Sequence, residues 1–551
     1  MNYIEKYRLW VSKVTDETVK SQLERMKGHD NLIKDAFYKD LEFGTAGLRG
    51  IMGAGSNCLN IYTIAQATQG VATYMKAHGF KKAAITYDSR LNAQLFSRKT
   101  AEVLAFNGIE CVMTEECMPT PFMSYMIRQL GCDTGINITA SHNPSEYNGY
   151  KVYDGNGCQL LEEDANEITR YFTAIDAFEV KFKPFEECLK EGIVTYNDKS
   201  LEDSYITAVT SQKIFGAKGL SVTYTPLNGA GYRLVPRALK EIGAEKVNVV
   251  AEQAYPDGNF PTCSYPNPEK KEALQLALKY AEVNGSDIVI GTDPDSDRLG
   301  VAVRHDGQYV LLTGNEVGIL LTDYILSDMQ KRGVRTDKHI VVKTIVTSAM
   351  VDKICAHYGV KVVDVLTGFK FIGNVINKLQ QRGCEDLYVF GFEESCGYLK
   401  GTYVRDKDAV VASVMFADMC AYFKSEGITA VDRLNQLYDK YGTYFNVTYS
   451  YRFDGADGAR RKQALLDQLR AKAPSEIDGK AVVKVTDYLV DETGTPKADV
   501  LRYNMEDGSQ LIVRPSGTEP LIKCYVTLCG TRQSNEKQNE SVKKYLDKVF
   551  G

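Results

Sequence analysis

The chain has 551 residues, of which 44% are hydrophobic and 25% are charged, the usual composition of a globular protein. At roughly 100–200 residues per domain, this length predicts about three to five domains. The formal net charge of −5 provides no general attraction to nucleic acid or to an anionic membrane, so we predict neither as a partner.

The cysteines, the N-terminus and the longest apolar run all indicate a cytoplasmic protein. The thirteen cysteines are scattered with no C-x-x-C pair, and with only six histidines a zinc site is not expected. Residues 1–23 are charged throughout and predict an amphipathic helix rather than a signal peptide. The most apolar run, 409–423, contains Asp418 and is too short to span a bilayer, so we predict a core helix there.

Short apolar runs alternate with amphipathic stretches over the first four-fifths of the chain. The order strand, loop, helix is predicted in KKAAITYDSRLNAQLFSRKTAEVLAFNG, DTGINITASHNP, KGLSVTYTPLNGAGYRLVPRALKEIG, SDIVIGTDPDSDR, KHIVVKTIVTSAMVDKICAHYG and DLYVFGFEESCGY. This order predicts parallel sheets covered by helices. In such sheets ligands bind just beyond the carboxyl ends of the strands, where most polar clusters of this chain lie.

The last hundred residues have a different pattern. An antiparallel sheet with one closing helix is predicted from NVTYSYRF, KAVVKVTDYLV, VLRYNM, SQLIVRPSG and KQNESVKKYLDKVF. We place soft domain boundaries near residues 203, 312 and 440, which gives four units: 1–203, 204–312, 313–440 and 441–551.

The loop GTDPDSDR carries carboxylates at alternating positions, Asp293, Asp295 and Asp297. An EF-hand is excluded because its sixth position is Arg298 rather than Gly and its twelfth is Arg304 rather than Glu. Three carboxylates repel one another unless a cation neutralises them, and the preceding strand would hold them at a sheet end. The loop therefore predicts a site for a hard divalent cation, and we favour Mg²⁺.

Ser141 lies in TASHNP, which is not a G-x-S-x-G nucleophile elbow. Taken alone, it is best explained as a turn residue whose hydroxyl satisfies a backbone amide. Placed against the aspartate loop, it could instead carry a phosphate, because a phosphoserine adds about two negative charges and strong acceptor oxygens.

Two further loops carry groups that suit a phosphosugar. RPSGTEPLIK offers Arg514 and hydroxyls that match a phosphate, and the alternative is an ordinary Pro-Gly turn. GFEESCGY offers Glu393 and Ser395, which suit sugar hydroxyls, but acidic residues at a helix N-terminus explain this loop about as well.

Together these four loops, in this order, resemble those of the α-D-phosphohexomutases, the phosphoglucomutases and phosphomannomutases. The resemblance covers essentially the whole chain. It implies an α/β fold in which three related α/β domains with mixed or parallel sheets and a smaller α+β C-terminal domain surround one central cleft.

The resemblance also implies roles for individual residues. Ser141 is similar to the phosphoserine, with Asp293, Asp295 and Asp297 as the Mg²⁺ ligands that an oxygen of its phosphate completes. The catalytic groups beside it are matched by His142, Arg49 and Lys151. The substrate-binding groups are matched by Arg298, Gly368, Lys370, Glu393, Ser395 and Lys407. The site for the non-reacting phosphate is matched by Arg514, Ser516, Gly517 and Thr518.

One departure favours the glucomutase-type branch. Bifunctional mannomutase-type members carry a histidine two residues after the sugar-loop serine, where this chain has Gly397. The resemblance therefore implies an enzyme that interconverts glucose 1-phosphate and glucose 6-phosphate, with glucose 1,6-bisphosphate as activator and sugar phosphates as partners. We expect a monomer or a weak homodimer. The alternatives are a phosphomannomutase, a phosphopentomutase, a glucose 1,6-bisphosphate synthase and, least favoured, a non-catalytic phosphosugar-binding protein.

Overall fold

The computed structural model describes residues 1–44, 47–453, 455–516 and 521–551. Within these ranges the chain forms four sheets in succession along the sequence. The first region comprises α1 Tyr3–Lys13, α2 Glu17–Met26, α3 Asp30–Phe37, β1 Leu48–Ile51, α4 Ile61–Ala77, β2 Lys82–Tyr87, α5 Ala93–Phe106, β3 Glu110–Met113, α6 Thr120–Leu130, β4 Thr134–Ile138, β5 Tyr147–Asp154, α7 Glu162–Ala174, α8 Phe185–Lys190, β6 Val194–Tyr196 and α9 Ser200–Thr210.

Two more α/β regions follow. The second comprises β7 Ser221–Thr225, α10 Leu234–Glu241, β8 Lys246–Val249, α11 Lys271–Asn284, β9 Ile288–Thr292, β10 Leu299–His305 and β11 Gln308–Leu312. The third comprises α12 Gly314–Lys331, β12 Ile340–Thr344, α13 Met350–His357, β13 Lys361–Val365, α14 Phe369–Gln381, β14 Tyr388–Glu393, β15 Gly397–Lys400, α15 Ala409–Ser425 and α16 Ala430–Tyr441.

The fourth region is an antiparallel sheet with helices. It comprises β16 Thr443–Arg452, α17 Gly455–Ala471, β17 Glu476–Ile477, β18 Lys480–Asp487, β19 Leu501–Met505, β20 Gln510–Pro515, β21 Leu521–Gly530 and α18 Arg532–Phe550. Its strand order is β16-β21-β20-β19-β18-β17, and every pair is antiparallel. The predicted antiparallel sheet with its closing helix is confirmed.

The first three sheets share one four-stranded unit. Its members are β3-β2-β4-β5, β8-β7-β9-β10 and β13-β12-β14-β15. In each unit the first three strands are parallel, and the fourth is antiparallel to the third. The three related α/β domains and their mixed sheets, predicted from the sequence, are therefore confirmed.

The predicted order strand, loop, helix is wrong for the three loops that carry the candidate chemistry. Each of them instead joins the third and fourth strands of its unit as a hairpin connection. Each contains a residue with positive φ, namely Ser141 (53°), Ser296 (52°) and Cys396 (63°). Single left-handed residues are typical of tight turns, and in these three loops the chain turns back to pair with the preceding strand.

One hydrophobic cluster joins the first three regions, and the first and fourth regions each have a further cluster of their own. One cluster runs from α6 and α9 through the second and third sheets to α15, whose residues are nearly all buried, as predicted for 409–423. The fourth region has a separate cluster around β19, β20 and β21. A small apolar cluster, which includes Ile345, Leu366 and Tyr525, joins the third region to the fourth.

The N-terminal segment is two helices rather than the one predicted. The α1 helix ends at Lys13, and α2 begins after Asp16, whose carboxylate accepts a hydrogen bond from the Val19 amide. An N-cap aspartate favours a new helix start over continuation. Among the described residues, no helix combines the length and the apolar character needed to cross a bilayer.

Candidate active site

The Ser141 loop is fixed by a buried arginine. Arg90 donates hydrogen bonds to the backbone carbonyls of Ser141 (2.5 Å), Asn143, Pro144 (2.8 Å) and Tyr147 (3.0 Å). These donors hold a loop whose carbonyls would otherwise need water. The loop, and the positive φ of its serine, are therefore set by a side chain from a neighbouring strand end.

The neighbours of Arg90 complete this support. Asp88 forms an ion pair with Arg90 (3.4 Å) and accepts a hydrogen bond from the Thr139 hydroxyl (2.5 Å). Thr139 in turn accepts a hydrogen bond from the Ser141 amide (2.8 Å). Burial, partly offset by Arg90, raises the pKa of Asp88 to about 6. These groups follow β2 and β4, so two adjacent strand ends build the loop.

The aspartate loop brings three fully buried carboxylates together. Atoms of Asp293, Asp295 and Asp297 suitable as ligands lie within 4.8 Å of one another. Burial, and then the charges of its two neighbours, raise the pKa of Asp293 well above its usual value. For Asp295 the opposite holds, because Lys151 and other donors outweigh the effect of burial and lower its pKa.

The Ser141 hydroxyl lies directly against this triad. Its Oγ donates to Asp293 Oδ2 at 2.7 Å. Asp293 Oδ1 accepts from the amides of Asp297 (3.1 Å) and Arg298 (2.9 Å), so its orientation is fixed by its own loop. The serine of the first sheet and the aspartates of the second, 152 positions apart in sequence, thus form one site.

The donor set fits a hard divalent cation. Asp295 Oδ1 and Asp297 Oδ1 are buried and accept no hydrogen bond from the described residues. A buried carboxylate oxygen without a donor is costly unless a cation is its partner. The ligands on offer are all oxygens, the type that Mg²⁺, Ca²⁺ and Mn²⁺ prefer.

Two lysines form ion pairs with the triad. Lys151 Nζ lies 2.9 Å from Asp295 Oδ2, and Lys407 Nζ lies 2.8 Å from Asp297 Oδ2. Asp297, Asp406 and Glu393 raise the pKa of Lys407 above its usual value, although burial alone would lower it. Lys407 is therefore an ammonium cation fixed beside the triad.

His142 contacts the serine hydroxyl through a ring nitrogen. Its Nδ1 lies 3.2 Å from Ser141 Oγ, and its ring makes an edge contact with Tyr265 at 5.8 Å between centroids. Burial, followed by Arg298 and Arg49, lowers the pKa of His142 well below its usual value. The imidazole is thus neutral at physiological pH and has a nitrogen able to accept a proton.

Arg298 and Arg49 flank the Ser141 loop. Arg298 Nη1 donates to Glu269 Oε1 at 2.6 Å, which fixes the guanidinium beside the aspartates. Arg49 Nη1 donates to Asn143 Oδ1 at 3.3 Å, two residues beyond the serine. Both arginines could therefore add positive charge next to a phosphate on Ser141.

The loop between β14 and β15, the candidate sugar-binding loop, lies beside Lys407. Glu393 is buried at the end of β14, and burial, opposed by Lys407 and Arg298, raises its pKa. Ser395 lies in the three-residue turn between Glu393 and Gly397. A Cβ at Gly397 would lie 2.6 Å from Lys407 Cδ and 3.1 Å from Glu393 Oε1. A side chain at 397 would therefore require Lys407 or Glu393 to move.

The candidate phosphate site combines Arg514 and Ser516 of the fourth region, at the end of β20. The positive charge of Arg514 contributes to lowering the pKa of Lys370, after the larger effect of burial. Gly368, with φ of 123°, begins the helix that carries Lys370. The Ser516 amide bonds to the Leu521 carbonyl at 2.9 Å. Gly517 and Thr518 lie outside the described residues.

Comparison with known proteins identifies the family. Family models named phosphoglucomutase/phosphomannomutase match this chain in order: alpha/beta/alpha domain I at residues 40–179, domain II at 203–307, domain III at 313–441 and the C-terminal domain at 461–544. The chain belongs to this family. The family, the fold class and the enzyme class of a phosphohexomutase, an isomerase, predicted from the sequence, are confirmed.

Individual relatives agree with this assignment. The chain is 33% identical over 536 residues to the phosphoglucomutase of Staphylococcus saprophyticus, covering 94% of this chain and 96% of that protein. It is 33% identical over 535 residues to the phosphoglucomutase of Staphylococcus aureus, with coverage of 94% and 95%.

Two solved structures share the fold. One is a phosphoglucomutase/phosphomannomutase family protein from Burkholderia thailandensis, with a TM-score of 0.69 at 18% identity and coverage of 92% of this chain and 97% of that one. The other is the open form of parafusin, a phosphoglucomutase from Paramecium, with a TM-score of 0.68 at 18% identity and coverage of 93% and 95%. At these identities the likeness shows the fold alone.

Several supporting residues of this family member were not found from the sequence. Arg90 and Thr120 contact the site loops through hydrogen bonds that span 51 and 175 positions. Glu269 pairs with Arg298 from a long loop without regular pattern. One sequence feature could have indicated Arg90. It lies directly after a predicted strand, as do the residues of the site loops. The predicted unit boundaries, 1–203, 204–312, 313–440 and 441–551, stay predictions.

Proposed function

We propose that this protein is a phosphoglucomutase that interconverts glucose 1-phosphate and glucose 6-phosphate through a phosphoserine at position 141. The observation that carries the proposal is the contact of 2.7 Å between Ser141 Oγ and Asp293 in a buried triad of carboxylates. A plain turn serine needs no such neighbours, whereas a phosphoryl carrier needs a cation site beside it.

Asp293, Asp295 and Asp297 would hold Mg²⁺, together with an oxygen of the serine phosphate. When bound, the ion would neutralise charge on the transferring phosphoryl group. Asp295 Oδ1 and Asp297 Oδ1, which are buried and accept no hydrogen bond from the described residues, support this assignment. Glucose 1,6-bisphosphate would serve as the activator by phosphorylating Ser141 at the start of the cycle.

The residues near Ser141 would transfer protons and stabilise negative charge. The neutral His142, 3.2 Å from Ser141 Oγ, and Lys151 would assist proton transfer when the serine gives up or recovers the phosphoryl group. Arg49 and Arg298 would stabilise negative charge on the transferring group. The contact of His142 with Ser141 Oγ supports its role. The contacts of Lys151 with Asp295, of Arg298 with Asp297 and of Arg49 with Asn143 place the other three side chains at the same two loops.

The remaining residues would orient the sugar. Glu393 and Ser395 would bind sugar hydroxyls, with Lys407 directing them toward Ser141. Lys370 and Gly368 would lie near the substrate. The non-reacting phosphate would be held by Arg514, Ser516, Gly517 and Thr518. Because the intermediate must turn over to present its second phosphate, these contacts have to serve two opposite orientations of the sugar.

A coupled mutase assay tests the substrate. Glucose 1-phosphate, mannose 1-phosphate and ribose 1-phosphate are compared by kcat/KM, with Mg²⁺ and a trace of glucose 1,6-bisphosphate. We expect a clear preference for glucose 1-phosphate. A preference for mannose or ribose phosphate would overturn the substrate and keep the catalytic roles. Release of a bisphosphorylated sugar without isomerisation would indicate a bisphosphate synthase.

A serine variant tests the mechanism. Ser141→Ala should abolish turnover and leave sugar-phosphate binding and the melting temperature nearly unchanged, because only one hydroxyl is removed. Ser395→Ala is the matched control and should retain measurable turnover with a raised KM. Undiminished turnover of Ser141→Ala would contradict a phosphoserine mechanism.

A further inference from the structure

The Asp295 carboxylate is held by groups outside its own loop. Its Oδ2 accepts hydrogen bonds from Thr120 Oγ1 (2.8 Å) and Lys151 Nζ (2.9 Å). The Thr120 amide also donates to the Asp295 carbonyl at 2.7 Å. Both donors belong to the first α/β region, whereas Asp295 belongs to the second. The first region therefore fixes the position of this aspartate in the second.

The two oxygens of Asp295 have unequal surroundings. Oδ2 has two donors, whereas Oδ1 is buried and accepts no hydrogen bond from the described residues. Rotating the carboxylate would break the bonds with Thr120 and Lys151. Oδ1 is thus the oxygen available to bind a cation. The donors to Oδ2 hold the carboxylate in the orientation that keeps Oδ1 available.

Thr120 is itself oriented by a buried hydrogen-bond chain. Asn137 Nδ2 donates to Thr120 Oγ1 at 2.8 Å, and Asn137 Oδ1 accepts from Thr86 Oγ1 at 3.0 Å. The side chains of Thr86, Thr120 and Asn137 are fully buried. No water is needed to explain their hydrogen bonds, because each one has a protein partner.

The polarity of this chain follows from chemistry. Thr120 has one hydroxyl proton, and a carboxylate such as Asp295 only accepts. If the Asn137 amide were flipped, Thr120 would have to donate to its oxygen, and Asp295 would lose that donor. With the amide as observed, Asn137 donates and the Thr120 proton is directed to Asp295. The hydrogen bonds therefore have one favourable direction of donation, from Thr86 through Asn137 and Thr120 to Asp295.

We infer that Thr120 and Asn137 are positioning residues for the divalent cation, acting through Asp295. This inference rests on the cation site of the proposed function. Groups that orient a metal ligand in this way typically change metal affinity by about 10- to 100-fold when removed. This hydrogen-bond chain runs from the first region to the second. A change in the relative position of the two regions would therefore also change the affinity for the ion.

Direct Mn²⁺ binding to the full chain tests the inference. The dissociation constant is measured by electron paramagnetic resonance of free Mn²⁺ for the wild type and for Thr120→Val, Thr120→Ser and Thr322→Val. Thr322 is the matched control, a fully buried threonine whose hydroxyl donates only to its own helix, at the Gly318 carbonyl (2.7 Å).

We expect Thr120→Val to weaken Mn²⁺ binding by about 10- to 100-fold. Thr120→Ser keeps the hydroxyl and should bind within about 3-fold of the wild type, and Thr322→Val should not differ from it. In the mutase assay, Thr120→Val should require more Mg²⁺ for half-maximal activity, and raising Mg²⁺ should restore most of kcat. A defect confined to folding would lower the melting temperature and leave the Mn²⁺ dissociation constant of the folded protein unchanged.

Two results would overturn the inference in distinguishable ways. Wild-type affinity in Thr120→Val would refute the positioning role and leave the proposed function intact. No Mn²⁺ binding by the wild type would refute the cation site itself, and the inference with it. If Thr120→Val does not fold, Thr120→Ala, which removes the hydroxyl without a branched replacement, is measured in its place and judged by the same two results.

Discussion

Replacing Arg90 with methionine is the sharpest perturbation of the support for the Ser141 loop. The guanidinium is 3% exposed and donates to the carbonyls of Ser141, Asn143, Pro144 and Tyr147. Methionine has a similar length and no donor, so these carbonyls lose their partner. We expect the loop to lose order and mutase activity to fall by at least about 100-fold, since small displacements of a reacting group cost that much.

The loss of folding stability in Arg90→Met should depend on pH, because Asp88 titrates differently in the folded and unfolded states. Removing one partner of a buried ion pair costs about 3–5 kcal/mol. Burial raises the pKa of Asp88 to about 6 in the folded protein, and Arg90 is what limits this rise. Without Arg90 the folded-state pKa is higher still, while the unfolded value stays near 3.8. Above pH 6 the folded variant therefore retains a proton that the unfolded chain releases.

The sign of the effect is then fixed. Between pH 6 and pH 8 the free energy of unfolding of Arg90→Met should fall by up to about 1.4 kcal/mol per pH unit relative to the wild type. In the double variant Asp88→Asn/Arg90→Met no carboxyl remains at position 88. We expect no extra slope there, and a smaller loss of stability than in Arg90→Met at pH 8.

Urea unfolding at pH 6, 7 and 8 provides the measurement. The single tryptophan, Trp10, packs on the first region and reports on its unfolding by fluorescence. Equal pH slopes in Arg90→Met and in the double variant would refute the reasoning. So would a loss below about 1 kcal/mol at pH 8, which is within the range of an exposed ion pair.

Three further outcomes follow. Gly397→Ala places a Cβ 2.6 Å from Lys407 Cδ, so kcat/KM should fall by about 10- to 100-fold while the melting temperature changes little, and unchanged kinetics would contradict the contact. Burial and Glu393 raise the pKa of Glu394 to about 7 from 4.5, so its contribution to stability should decline as pH rises from 5 to 7. Glu394→Gln should flatten that decline in melting curves, and an identical profile would exclude Glu394 as its source. Saturating Mg²⁺ at about 100 times its Kd should stabilise the protein by about 2.7 kcal/mol, seen as a higher melting temperature that EDTA reverses, and no shift would argue against a cation site.

The site loops could be found from the sequence because their chemistry is local. Asp293, Asp295 and Asp297 lie within five residues, and the serine loop and the phosphate loop each carry several polar groups in a row. Their placement at strand ends also followed from the alternation of apolar runs. The prediction that Ser141 lies against the aspartate loop agrees with the contact to Asp293, although the residues that hold the two loops together were not predicted.

The hairpin connections were missed for a physical reason. The fourth strand of the third unit, β15, is only four residues long. Its sequence, GYLK, is as compatible with a turn before a helix as with a strand. Its strand character comes from pairing with β14, in the register Glu393 opposite Gly397. Pairing partners are a property of the folded sheet, so a local pattern does not reveal them.

The supporting residues were not predicted because their roles depend on contacts with residues far away in the sequence. Thr120 is one of many threonines in the chain until Asp295, 175 positions later, lies beside it. Arg90 similarly resembles any arginine after a strand until the Ser141 carbonyl accepts its hydrogen bond. Buried polar groups need partners, but the sequence does not say which groups become buried.

Transfer of labelled phosphate tests the central claim most directly. The protein is incubated with glucose 1,6-bisphosphate that carries ³²P, digested, and its labelled peptide identified, and a second sample is chased with unlabelled glucose 1-phosphate. We predict that the label lies on Ser141 and that the chase removes it into sugar phosphate at a rate no slower than turnover. Label on another residue, or a Ser141 phosphate that the chase does not remove while turnover proceeds, would contradict the account.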